Sequence, residues 1–132
     1  MTDIPPLPVT LQFTEDGLIP AIAQQFDTGE VLMMAWMNKN SLAETLATGR
    51  ICYWSRSRRS LWRKGDTSGH IQKLIELRYD CDADTILVLV DQSGAACHEG
   101  TRSCFTRRFN TDGSINEVET AYPTKTDKSA RQ

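Results

Sequence analysis

No apolar run in the chain approaches the roughly 20 residues that a membrane-spanning helix needs; runs such as Val31 to Met37 and Ile86 to Val90 are far shorter. Nor is there an excess of positive charge. With 15 Lys and Arg against 17 Asp and Glu, the formal net charge is −2. That balance argues against a protein that holds nucleic acid through bulk positive potential, and it confines any basic recognition to a local patch. The start, Met1-Thr2-Asp3-Ile4-Pro5-Pro6, lacks the basic stretch followed by an apolar one that marks an export signal, so a cytoplasmic location is expected. The four cysteines then read as reduced thiols or metal ligands rather than disulfides, because 132 residues can build a core without such staples. The length suits one domain, and neither an internal repeat nor a linker marks a second.

What is present is mostly strand-like. Val9 to Phe13 alternates weakly and runs into the turn signal Glu15-Asp16-Gly17, and Ala21 to Phe26 reads as a short strand with Pro20 at its start. After the turn Asp27-Thr28-Gly29-Glu30, Val31 to Met37 reads as a buried strand whose Met and Trp residues pack in the core. Asn38 or Asn40 can cap a helix over Ser41 to Thr48, with Leu42, Thr45 and Leu46 on one face and Gly49 closing it. Arg50 to Ser55 returns to strand, and Ser55 to Gly69 reads as a polar, basic loop. Ile71 to Tyr79 and Thr85 to Val90 are extended, Gln92-Ser93-Gly94 leads into a loop carrying Cys97, and Ser103 to Phe109 is a last strand. The expected fold is α+β: a strand-dominated single domain over residues 1–110 with one main helix, followed by a polar, loosely ordered extension over 111–132.

The chemistry concentrates in Asp80-Cys81-Asp82-Ala83-Asp84. Read as extended chain, this run puts Asp80, Asp82 and Asp84 on one face and Cys81 on the other. Three carboxylates so close repel unless a cation sits among them, and oxygen-only ligation suits Mg²⁺, whereas a thiolate suits zinc. Further thiols lie in Cys97-His98-Glu99-Gly100-Thr101-Arg102-Ser103-Cys104, where Gly100 lets the loop fold back. Cys81, Cys97 and Cys104 together leave one tetrahedral position free, as a catalytic zinc does. His98 stands either as the fourth ligand or as a proton-transfer group, and a residue adjacent to a ligand often points away from the metal, which favours the second role. Cys52, between Ile51 and Tyr53, is most simply a core residue.

The segment from Trp54 to His70 combines cations, small hydroxyl residues, glycines and tryptophans. Arginine forks and exposed amides bind phosphate oxygens, and indole faces stack on bases. Arg56, Lys64, Thr67, Ser68 and Gly69 are the phosphate candidates, and Trp54 and Trp62 the stacking candidates. His70 on this reading alone more often caps a loop than performs catalysis.

Taken together, Trp62-x-Lys64-Gly65-x-Thr67-Ser68-Gly69-His70-x-Gln72, then Asp80-Cys81-Asp82-x-Asp84, then Cys97-His98-x-Gly100-x-x-Ser103-Cys104-Phe105 closely resembles the phosphoribosyl-AMP cyclohydrolases of histidine biosynthesis. The resemblance covers about the middle half of the chain. It implies hydrolysis of the adenine ring of N1-(5-phosphoribosyl)-AMP between N1 and C6, with the loop residues, His70 among them, against the nucleotide substrate. It also implies an intertwined homodimer in which each zinc is shared, Cys81 from one subunit and Cys97 with Cys104 from the other, while Asp80, Asp82 and Asp84 hold Mg²⁺. Some relatives carry a fused pyrophosphohydrolase domain, and the length here is expected to leave no room for one. Two other classes compete. A zinc deaminase also attacks an amidine carbon, but its Glu-containing and Pro-Cys-x-x-Cys segments are not found here. A zinc-stabilised nucleic-acid module would use the basic loop, against which the slight acidity and the open zinc position argue.

Overall fold

Alternation decides which strands form the middle of the sheet. β1 (Ile19–Gln25) and β6 (Ile86–Gln92) each bury every second residue. Ile19, Ala21 and Ala23 from one and Ile86, Val88 and Val90 from the other therefore enter a shared core. The two strands pair in parallel, Ala21 opposite Ile86 and Gln25 opposite Val90. β2 (Val31–Met37) lies antiparallel on the other side of β1, and β3 (Cys52–Ser55) and β4 (Ser60–Arg63) continue outward as a hairpin. β5 (Gln72–Tyr79) flanks β6, which gives the order β4-β3-β2-β1-β6-β5. The structure, a computed structural model, describes residues 10–118. Within them β7 (Arg107–Phe109) and β8 (Ile115–Glu117) form a separate two-stranded ladder.

The large sheet bends back on itself. Arg50 bridges Lys73, the Ile51 amide donates to Gln72 O at 3.1 Å, and the Leu74 amide donates to Gly49 O at 2.7 Å. This seam joins the approach to β3 with the start of β5, and it brings the chain between those strands over one end of the curl. The single helix, α1 (Lys39–Thr48), packs against β2 and β3. Of the two possible caps Asn38 is the one used: its side chain accepts from the Ser41 amide at 2.8 Å while Ser41 Oγ accepts from the Asn38 amide at 2.9 Å. Gly49, at φ 76°, ends the helix in the left-handed conformation that a Cβ disfavours. Thr45 is buried because its hydroxyl accepts from the Cys52 amide at 2.9 Å, which ties the helix to β3.

Leu32, Met37, Leu42, Ile51 and Tyr53 complete the core, and truncating one of its large aliphatic members costs about 2–5 kcal/mol. The strand-dominated α+β fold with one helix is as expected, with local differences. β2 is only partly buried, since Val31 and Met34 face solvent. β4 falls inside the segment read as loop. It is a four-residue edge strand, Ser60-Leu61-Trp62-Arg63, in which Trp62 alone turns toward the core, too short to carry an alternation signal. The strand expected over Ser103 to Phe109 shortens to β7, because Ser103 and Cys104 bond sideways to β2 instead of continuing a ladder. β8 lies within the polar extension and pairs with β7, and the part of that extension beyond residue 118 is outside the described residues, as is Val9. No helix among the described residues is long and apolar enough to cross a membrane.

Candidate active site

The aspartates sit on a turn between β5 and β6, not on an extended run. Asp80 O accepts from the Ala83 amide at 3.0 Å, and Ala83 takes φ 61°, so the alternation of faces expected for Asp80 to Asp84 does not exist. Proximity arises from the reversal instead. Ligand oxygens of Asp80, Asp82 and Asp84 all lie within 4.8 Å of one another and are exposed. Asp80 Oδ1 accepts from the Asp84 amide at 3.0 Å and from the Thr85 amide at 3.2 Å, which fixes the turn from within. Side-chain hydrogen bonds shared with Asp82 and Asp80 push the Asp84 carboxyl up. Desolvation opposes ionisation of Asp80, but the bonds it accepts from Asp84, Asp82 and Thr85 outweigh this and hold its carboxyl below the usual range. Three acidic side chains whose oxygens converge this closely fit a hard divalent cation.

Cys97 and Cys104 meet at the neck of a loop. The Ala96 amide donates to Arg102 O at 3.0 Å and the Cys97 amide to Thr101 O at 3.2 Å, which forms a stem, and Gly100 closes the tip with its amide on Cys97 O at 3.0 Å. On the far side the Cys104 amide donates to Leu32 O at 2.7 Å and Ser103 Oγ donates to Val31 O at 2.8 Å. The two thiols perturb each other and shift in opposite directions. A bond from the Glu99 amide lowers Cys97, while desolvation and the neighbouring Cys97 push Cys104 up to about 11. Two thiols brought side by side suit a thiophilic metal. Cys81 does not join them within one chain: among the described residues, the aspartate trio is the single group of three or more possible ligands close enough to hold an ion. His98 is exposed at the loop tip beside Cys97.

Lys64 stands next to this pair. Its Nζ donates to Ala96 O at 2.5 Å and lies 5.8 Å from the Trp62 ring, and burial lowers its pKa against the raising effect of Cys104 and Cys97. Thr67, Ser68 and Gly69 are exposed on the turn that follows β4, where the Gly69 amide donates to Gly65 O at 2.8 Å. The His70 ring packs over Gly94, where an added Cβ would come within 2.7 Å of it. Arg56 and Trp54 line a groove of about 650 Å³ with Trp62, and the Arg56 guanidinium stacks 4.8 Å from the Trp36 ring. Trp36 and Met34, which line the same groove, were not among the residues that sequence composition singled out.

Also unforeseen is a chain of buried polar side chains beneath the thiol loop. Tyr53 Oη donates to Gln72 Oε1 at 2.7 Å, Gln72 Nε2 donates to Gln92 Oε1 at 2.8 Å, and Gln92 Nε2 donates to His70 O at 3.1 Å. Gln25 Oε1 accepts from the Gln92 amide at 2.9 Å and from Arg102 Nη2 at 2.8 Å. A signal for it existed. Gln25 and Gln92 fall on the buried phase of β1 and β6, where a polar residue must find partners.

The family model described as phosphoribosyl-AMP cyclohydrolase matches residues 33–106, which include both the acidic turn and the thiol loop. A phosphoribosyl-AMP cyclohydrolase of Alkalilimnicola ehrlichii is 63% identical over 111 residues, covering 84% of this chain and 78% of the relative. Those of Granulibacter bethesdensis and Rhodospirillum centenum are 65% and 68% identical, covering 82% and 80% of this chain and 84% and 78% of the relatives. With a family match over more than half its length and relatives this similar across most of it, the chain belongs to the phosphoribosyl-AMP cyclohydrolase family.

Proposed function

We propose that this protein hydrolyses the N1–C6 bond of the adenine ring in N1-(5-phosphoribosyl)-AMP, giving the formimino carboxamide ribonucleotide of histidine biosynthesis. The observation that carries the reading is that residues 33–106, the span matched by the family, contain both donor sets, the oxygen trio and the thiol pair. Cys81, Cys97 and Cys104 would hold zinc, and Asp80, Asp82 and Asp84 would hold Mg²⁺. Because Cys81 lies apart from the other two thiols within one chain, completion of the zinc site calls for a second copy, which supports a homodimer with shared ligands.

Zinc held by Cys81, Cys97 and Cys104 would supply Lewis acidity that makes water nucleophilic near neutral pH. His98, beside Cys97 at an exposed tip, takes a proton from the water that attacks C6 and returns one to the departing N1. C6 is the susceptible carbon because N1 already bears a ribosyl group. Trp54 and Trp62 stack on the purine in the groove, and Arg56, Thr67, Ser68 and Gly69 bind phosphate oxygens. Lys64, bonded to Ala96 O beside the thiol loop, and His70, packed against Gly94, meet the substrate nearer the reacting ring.

Adding synthetic N1-(5-phosphoribosyl)-AMP to zinc- and magnesium-loaded protein and following absorbance is the direct test. Ring opening without release of ammonia is expected, and an inert or ammonia-releasing protein would overturn the reading. Metal analysis separates the sites: Cys81→Ser should lose zinc and keep Mg²⁺, Asp82→Asn the reverse. Mixing inactive Cys81→Ser with inactive Cys97→Ser subunits should restore activity through one intact shared site, and no recovery in confirmed mixed dimers would refute the sharing.

A further inference from the structure

The loop that brings Cys97 to Cys104 has little apolar anchorage, since His98, Glu99 and Gly100 are exposed and Ala96 is its buried apolar residue. Its two ends are held differently. Cys104 is fastened to β2 by its own amide on Leu32 O and by Ser103 Oγ on Val31 O. Cys97 is held through the stem, whose base is the pairing of the Ala96 amide with Arg102 O.

Arg102 is buried, only 8% exposed, and its guanidinium reaches three separate segments. Nη1 donates to Gln92 O and to Gly94 O, both at 2.7 Å, and Nη2 donates to Gln25 Oε1 at 2.8 Å. The buried Glu30 carboxylate lies 3.9 Å from Nε. These partners belong to the end of β6, the turn after it, the end of β1 and the turn before β2. A planar fork with fixed donor directions can bridge such points at once, whereas a single ammonium cannot.

We propose that Arg102 is a positioning residue for the thiol pair: by locking the loop stem to the ends of β1 and β6, it sets where Cys97 stands relative to Cys104. This rests on the reading of those cysteines as zinc ligands. The role is selective. Loss of the fork displaces Cys97, while Cys104 keeps its place on β2. Residues that orient ligands from behind change metal affinity without touching the metal.

The test uses the holoenzyme of Arg102→Lys, which keeps the charge opposite Glu30 but not the fork. Zinc affinity is expected to fall by about 10- to 100-fold, and the thiolate-to-metal absorption of the cobalt-substituted protein to change, with secondary structure retained and KM near wild type. A folded Arg102→Lys protein with wild-type zinc affinity and cobalt spectrum overturns the proposal. If Arg102→Lys fails to fold, Gln25→Leu removes one acceptor of the fork and leaves Glu30 in place; reduced zinc retention is expected, and wild-type retention overturns the proposal. Cys97→Ser in the same assay distinguishes the two levels. If it loses zinc while the Arg102 and Gln25 variants do not, only the positioning role fails. If it keeps zinc at wild-type affinity, the ligand reading fails and this one with it.

Discussion

Replacing Gln72 with leucine removes the middle of the buried chain that runs from Tyr53 to Gln92, and the cost can be worked from the bonds lost. Gln72 is fully buried, its Oε1 accepts from Tyr53 Oη at 2.7 Å, and its Nε2 donates to Gln92 Oε1 at 2.8 Å. Leucine of similar size leaves both partners without this bond in a dry interior, at about 1–3 kcal/mol each, and returns about 1 kcal/mol through added apolar burial. The expected loss is about 1–5 kcal/mol. Tyr53→Phe alone leaves Gln72 Oε1 without its donor and should cost about 1–2 kcal/mol. The double variant no longer carries a stranded tyrosine hydroxyl, so it should be more stable than the sum of the singles by about 1–2 kcal/mol. Urea unfolding followed by tryptophan fluorescence, at fixed protein and metal concentration, measures all four corners of the cycle. Additivity within about 0.3 kcal/mol, or a Gln72→Leu cost below about 0.5 kcal/mol, would refute the network as a stabilising unit.

Three further outcomes are expected. His98→Ala should lower turnover by about a hundredfold or more while zinc stays bound; steady-state kinetics with metal analysis checks this, and wild-type turnover removes the assignment. Gly65→Ala should cost about 3 kcal/mol or more, because a Cβ there would lie 2.5 Å from Ile71 N at φ 91°. Gly113→Ala at φ 88°, with nothing within 4 Å, should cost only about 1 kcal/mol, and thermal unfolding that ranks the two alike would contradict the steric argument. In metal-stripped protein, iodoacetamide should modify the accessible Cys81 and Cys97, Cys104 more slowly because its thiol is pushed up to about 11, and not Cys52, which is buried and pushed up to about 12 by desolvation and then by Glu44. Mass mapping of labelled peptides reads this directly, and rapid native-state labelling of Cys52 would count against its place in the core.

Much of this was legible in the residues, for identifiable reasons. β2 and α1 announced themselves because Val31 to Met37 is an apolar run between turn signals and because Asn38 and Gly49 bracket a helix with the chemistry its ends require. The motifs from Trp62 to Phe105 carried the family, and the comparisons agree with it. The acidic turn was misread in shape, since alanine gives no warning of the positive φ that Ala83 adopts to close it. β4 was hidden because it is a four-residue edge strand set among the cations and hydroxyl residues of its neighbours. The buried network was hidden because each of its members lies in a different element, and only the closed sheet brings Tyr53, Gln72, Gln92, Gln25 and Arg102 into one line.

The parallel pairing of β1 with β6 has a consequence for the order of assembly. β1 can find β2 across a short turn, but its other edge stays open until β6, from the far half of the chain, arrives. That edge carries alternating apolar residues and unpaired peptide groups, the features that recruit a neighbouring molecule when left uncovered. Folding must therefore close a long, costly loop at the centre of the sheet before the polar chain under the thiols can form, since Gln25 and Gln92 sit at the C-terminal ends of those two strands. The loop that carries Cys97 and Cys104 therefore takes its shape from a seam between the two halves of the chain.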